Sequence, residues 1–385
     1  MFSRRSAFAR EPNALARATV HARARGQALI DLTLSNPTAA GLPYERERIL
    51  RALADARALT HEPAPFGIEA AREAVAVELA RDGLVVPADR VVLTASTSEA
   101  YAWAFQLLCD PGDAVMVPAP SYPLLEHLAT LSGVRLVHYP LVYDGAWHVD
   151  AELLRRACSP DARAVVMVSP NNPTGSFTKT GELASFAALG LPIISDEVFA
   201  RYPAGHDPTR IRSALDTDRV LVLALSGLSK LAALPQLKLG WMAVGGPDAL
   251  VREALARLEL IADSYLSVAA PVQHALPELL SATRSTTAAL RHRIGENFGV
   301  LQRALAGSAV TPLHVEGGWY AVLRLPRTRS EESWVIELVE RAGVLVQPGW
   351  FFDFPDEPYV VVSLLTPPAE LEQGLGHLVQ LVGRD

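Results

Sequence analysis

From about residue 91 to 246, short apolar runs alternate with longer stretches in which Leu, Ala and Phe recur at helical spacing, and Gly, Pro, Ser or Asn marks each junction. The runs VVLT (91–94), AVMVP (114–118), RLVHY (135–139), AVVMV (164–168), PIIS (192–195), VLVLA (220–224) and WMAV (241–244) predict strands. Residues 98–109, 122–131, 151–157 and 181–189 predict helices. Strands rich in Val and Ile on both faces, with helices between them, predict an α/β fold with a mostly parallel sheet covered by helices on both faces. Open sheets of this kind bind ligands beyond the carboxyl ends of their strands, so chemistry is sought just after each apolar run.

The pattern changes past residue 270. A long Ala/Leu/Arg helical region to about residue 306 precedes a strand at 320–325, a helix near 332–342 and a strand at 359–364. Three parts are expected: an N-terminal segment (1–45) that packs with the small domain, a large domain (46–270), and a smaller α+β domain (271–385). No internal repeat or low-complexity stretch interrupts them.

Composition narrows the function classes. The 385 residues are 50% hydrophobic and 20% charged, enough for a sizeable core. The two cysteines form no CxxC pair or Cys/His cluster, which argues against a disulfide scaffold and a structural zinc site. A net charge of −7 without a basic run gives no footprint for nucleic acid. No signal-like core and no run of about 18 apolar residues is present, so a cytoplasmic protein without membrane spans is expected.

Three polar clusters follow predicted strands: SPNNPTG (169–175), SDEVF (195–199) and SGLSK (226–230). Each has a plain explanation. The first reads as an Asn-Pro turn. The second places Asp196 and Glu197 behind an apolar strand, where a carboxylate is costly without a cation or donors. The third places Lys230 among small and apolar neighbours; it reads either as a surface lysine or as one with the lowered pKa that Schiff-base chemistry needs. In TASTSEA, Ser96, Thr97 and Ser98 fall in the first turn of a helix, where free N–H groups and the helix dipole favour a phosphate and where ordinary capping is the alternative.

In this order and spacing the clusters resemble the class I/II aminotransferases, pyridoxal 5'-phosphate (PLP) enzymes of fold type I. The resemblance runs from DLTLSNPT (31–38) through PAPFG, TASTSEA, PSYP (120–123), the three clusters and LKLGW to VLVQPGWFFDF (344–354). It implies that Lys230 forms the internal aldimine and then moves the proton, and that Asp196 pairs with the pyridine nitrogen to keep the ring an electron sink. It also implies that Asn172 meets the 3' oxygen, that Tyr122 stacks on the ring, and that Ser96, Thr97, Ser98, Ser229 and Lys238 serve the phosphate. Asn36 and Trp350 align with substrate-side segments, and His61 lies near a position that reaches the partner subunit, so a homodimer is expected. The implied partners are a small-molecule amino donor and an oxo acceptor.

Four positions depart from the family's pattern: Gly227 and Lys238 stand where Ser and Arg are usual, Phe199 where Tyr is usual, and Val361 at the place of the arginine that clamps the substrate carboxylate. Arg324 is the nearest basic candidate to replace that arginine. The missing clamp leaves open a lyase, cyclase or decarboxylase of the same fold. A PLP-binding regulator is disfavoured because too few residues precede DLTLSNPT for a helix-turn-helix, and a nicotinamide enzyme because no GxGxxG follows a strand.

Overall fold

The computed structural model describes residues 2–8, 11–355 and 358–384. A short strand, β1 (Ile30–Asp31), comes first and pairs near the C-terminal end. The next eight form one sheet: β2 (Val91–Thr94), β3 (Ala114–Ala119), β4 (Arg135–Tyr143), β5 (Trp147–Val149), β6 (Ala162–Val168), β7 (Ile193–Asp196), β8 (Val222–Gly227) and β9 (Gly240–Gly245). Their spatial order is β2-β9-β8-β7-β6-β3-β4-β5. The run β8-β7-β6-β3-β4 is parallel, whereas β9 runs against both β2 and β8, and β5 closes a hairpin on β4.

Successive residues of a strand point to opposite faces, and here both faces are apolar. Val165 and Met167 of β6 join one core cluster, while Ala164 and Val166 join another. Full burial of each such side chain stabilises the fold by about 1.5–3 kcal/mol for the larger ones. That explains why the strands read as continuous apolar runs.

The remaining strands are β10 (Thr311–Pro312), β11 (Tyr320–Arg324), β12 (Val344–Leu345), β13 (Gln347–Pro348) and β14 (Tyr359–Ser363). Four of them form an antiparallel sheet ordered β10-β11-β14-β13, and β12 pairs in parallel with β1. Two helices, Ala270–Ala282 and Arg284–Leu305, lead into this part.

Two local differences from the sequence expectation affect the site. The helix expected from residue 122 begins at Leu124. Pro123 disfavours helical backbone in the residue before it, so Tyr122 stays outside the helix and half-exposed. Lys230 lies in a single helical turn, Leu228–Leu231, directly after β8.

Candidate active site

The carboxyl ends of β2, β3, β6, β7 and β8 deliver Ser96, Tyr122, Asn172, Asp196 and Lys230 to one cavity of about 360 Å³. Thr97, Ser98, Ser229 and Lys238 line the same cavity, so nine residues singled out in the sequence meet there. Tyr101, Ser35, Phe199, Tyr320, Gln347 and Phe352 also line it.

At one end the helix Thr97–Leu108 starts. Ser96 is its N-cap, accepting from the Glu99 N–H at 3.3 Å, and the Glu99 carboxylate accepts from the Ala95 N–H at 2.6 Å. The first-turn N–H groups of Thr97 and Ser98 have no acceptor within a helix, and the dipole there favours an anion. Gly240 lets β9 pass close by: a Cβ on it would lie 3.1 Å from the Ser96 carbonyl carbon. Lys238, two residues before it, adopts left-handed backbone with φ +50° and sits exposed on the cavity wall.

The structure gives a steric reason for Gly227. A Cβ there would lie 2.8 Å from the Gly240 Cα and 3.0 Å from the Leu239 carbonyl oxygen, both rigid backbone. The β8–β9 approach therefore leaves no room for the serine of the family pattern.

At the other end Asp196 accepts from the Tyr101 hydroxyl at 3.1 Å and from the Val198 N–H at 3.2 Å. Burial pushes its carboxyl up to about 6, against the pull of those two donors and the nearby Lys230 charge. Burial likewise lowers Lys230, with Asp196 opposing. The Tyr101 phenol is held well above its usual range by burial and then by Asp196. The Asn172 carboxamide oxygen is buried without a hydrogen-bond partner among the described residues.

Other candidates fall elsewhere. Asn36 is exposed, and its side chain caps the turn Pro37–Ala39 by accepting from the Thr38 N–H and hydroxyl; its neighbour Ser35 lines the cavity instead. Trp350 rests edge-to-face on Phe351, and its backbone N–H donates to the Glu331 carboxylate, while Gln347 and Phe352 of the same stretch reach the cavity. Arg324 is exposed at the end of β11. It shares a face with Tyr320, but four residues along a strand is about 13 Å. His61 lines a separate small cavity with Trp103 and His274. Val361 is fully buried in β14 between Val322 and Gln347.

Sequence reading missed Tyr101, Ser35, Tyr320 and Gln347. Tyr101 had a signal, since it lies one helical turn after Thr97 and so shares its face. Tyr320 and Gln347 reach the cavity only through long-range docking of the C-terminal strands.

Among the described residues, no group of three or more His, Cys, Asp or Glu is placed to hold a metal ion, and no helix is long and apolar enough to cross a membrane. A family model described as aminotransferase class I and II matches residues 28–378. Nicotianamine aminotransferase B of Hordeum vulgare is 27% identical over 84% of the chain, which spans 61% of that protein's length. Glutamate-pyruvate aminotransferase of Haemophilus influenzae is 24% identical, with 93% of this chain and 91% of the relative covered. The solved alanine aminotransferase from Pyrococcus furiosus superposes with a TM-score of 0.89 at 22% identity, covering 100% of both chains. All three carry aminotransferase names, and nothing in the comparisons favours the lyase, cyclase or decarboxylase alternative. The chain belongs to the class I and II aminotransferases, a family that depends in general on PLP.

Proposed function

We propose that this chain is a PLP-dependent aminotransferase that moves an amino group from an amino acid to a 2-oxo acid. The observation that carries the reading is the convergence in one cavity of a buried lysine, a buried carboxylate with no cation hydrogen-bonded to it, an unpartnered Asn172 oxygen and an open helix start. These are the complements of an aldehyde, a protonated ring nitrogen, a ring hydroxyl and a phosphate.

On this reading Ser96, Thr97, Ser98, Ser229 and Lys238 hold the phosphate, and Tyr122 covers one face of the ring. Asp196 meets the ring nitrogen, Asn172 meets the 3' oxygen, and Lys230 is the covalent attachment point. When bound, the cofactor supplies an electron sink for the pair released at the substrate α-carbon. Lys230 Nζ takes the proton from that carbon. The hydroxyls of Ser35 and Tyr320 and the amide of Gln347 are neutral hydrogen-bonding groups on the cavity wall for the substrate.

The chain's division at residues 45 and 270, a cytoplasmic location and a homodimer are further parts of this reading. The dimer is supported by exposed Leu59, Tyr265 and Leu266 around the His61 cavity. The deciding experiment is the absorption spectrum with added PLP, before and after a panel of amino acids. A visible band is expected that shifts to short wavelength with a donor, returns with a 2-oxo acid and is lost in Lys230→Ala. A band that persists with every amino acid overturns amino transfer, and the lack of any band overturns the cofactor assignment.

A further inference from the structure

The tip of Lys230 lies in an aromatic corner. Its Nζ is 4.9 Å from the centroid of the Trp319 ring and 5.7 Å from that of Phe199. The two rings meet at 66° with centroids 5.2 Å apart. Tyr202 backs this pair: its ring stands edge-on to Trp319 at 5.3 Å, and its hydroxyl donates to the Lys230 carbonyl at 2.6 Å. One aromatic cluster thus touches both the backbone and the amine of the lysine.

The chain holds Trp319 in this place from several directions. The Gly318 N–H donates to the Tyr202 carbonyl at 2.9 Å, and the Leu364 N–H donates to the Trp319 carbonyl at 2.8 Å. Gly317 permits the approach, since a Cβ there would lie 2.5 Å from the Tyr202 carbonyl oxygen. Trp319 is fully buried, and its indole Nε1 has no hydrogen-bond partner among the described residues. Trp103 and Trp147 are also buried with the indole N–H unpartnered among the described residues, so that feature alone does not set Trp319 apart; its place over the Lys230 amine does. What the indole offers here is its π face.

We propose that Trp319 is a positioning residue for Lys230: with Phe199, it turns its π face to the amine, which favours the protonated form, and it holds the tip of the side chain against the cavity wall. The proposal rests on the reading of Lys230 as the proton-moving residue. In that role the nitrogen lone pair takes a proton from the substrate α-carbon while the C–H pair stays on the carbon, and the ring faces then meet the new ammonium charge. The two aromatic effects have opposite signs. Excluding water disfavours the charged amine, and facing it with a π cloud favours it. The titratable groups around the amine are Asp196, Tyr101 bonded to it, Lys238, Tyr122 and Tyr320 in the cavity lining, and Tyr202 behind it.

Trp319→Leu separates the two effects because it keeps the apolar wall and removes the π face. The full-length chain, freed of cofactor, is labelled with fluorodinitrobenzene across a pH series, with N-acetyl-lysine amide as internal standard, and Lys230 labelling is read by peptide mass spectrometry. The Lys230 midpoint is expected to fall by about half to one pH unit in Trp319→Leu and to stay near the parent in Trp319→Phe. In Phe199→Leu it falls by less, because that ring is farther away. An unchanged or raised midpoint in Trp319→Leu overturns the proposal. If circular dichroism shows that Trp319→Leu does not fold, Phe199→Leu carries the test, and an unchanged midpoint there overturns the proposal. A normal PLP band with an unchanged midpoint removes only the role of Trp319. Failure of Lys230 to take PLP removes the functional reading and leaves the titration result standing.

Discussion

Asp196 and Glu197 are adjacent carboxylates at the end of one strand, yet their surroundings give them different work. Glu197 directs one oxygen at three donors: the Ser195 hydroxyl at 2.8 Å, the Ser213 hydroxyl at 2.9 Å and the Ala214 N–H at 2.8 Å. It ties the end of β7 to the turn that begins at Ser213. Asp196 faces the candidate active-site cavity and, among the described residues, receives a phenol and one N–H. Burial raises both, Asp196 to about 6 and Glu197 to about 7. A shifted pKa alone therefore does not mark the functional carboxylate. The mark is hydrogen-bonding capacity left open towards a cavity.

Substitutions at these two residues and at Tyr101 test that contrast. The largest effect is expected from Asp196→Asn. Removing one partner of a buried ion pair costs about 3–5 kcal/mol, so kcat/KM falls by about 10²- to 10⁴-fold; a loss under tenfold would place the ring nitrogen's partner elsewhere. Tyr101→Phe comes next. A hydrogen bond to a charged group contributes about 1.5–3 kcal/mol, so PLP affinity measured by equilibrium titration drops about ten- to a hundredfold. Because the lost donor favoured the carboxylate, the acid limb of the pH–rate profile moves to higher pH.

Glu197→Gln gives the smallest change at the site, with PLP affinity within about threefold of the parent. Its signature is stability. The folded-state pKa of Glu197 is raised from 4.5 to about 7, so its contribution is full below about pH 4.5 and is lost as pH rises through 7, up to about 3 kcal/mol. In urea unfolding the variant should therefore gain on the parent between pH 5 and pH 8. A difference that stays constant with pH would mean that Glu197 does not titrate in this range.

The large sheet was legible because its strands are apolar on both faces and end abruptly at polar motifs. Residues 91–94 and 151–157 form the elements expected of them, and most other boundaries move by one to three residues. The antiparallel course of β9 was not legible, since a buried strand has the same apolar pattern in either direction. Lys230, Asp196 and Asn172 could be read because each sits within a few residues of a strand end that brings it in. Arg324, Asn36 and Trp350 depended on how distant segments dock, which local pattern does not encode. Val361 shows the same limit: the alternation along β14 says that it is buried, but its neighbour across the sheet, Gln347, is known only from register.

The Ser363 N–H donates to the Leu32 carbonyl, and the Ser363 hydroxyl donates to the Leu34 carbonyl across 329 residues of sequence. Together with the β1–β12 pairing, this means that the stretch around Leu32 finds its partners only after residues 344–363 have been made, more than 300 residues later. On the ribosome, at about 5–20 residues per second, apolar Ile30 and Leu32 wait tens of seconds without their final neighbours, which makes this early segment a natural place for chaperone capture.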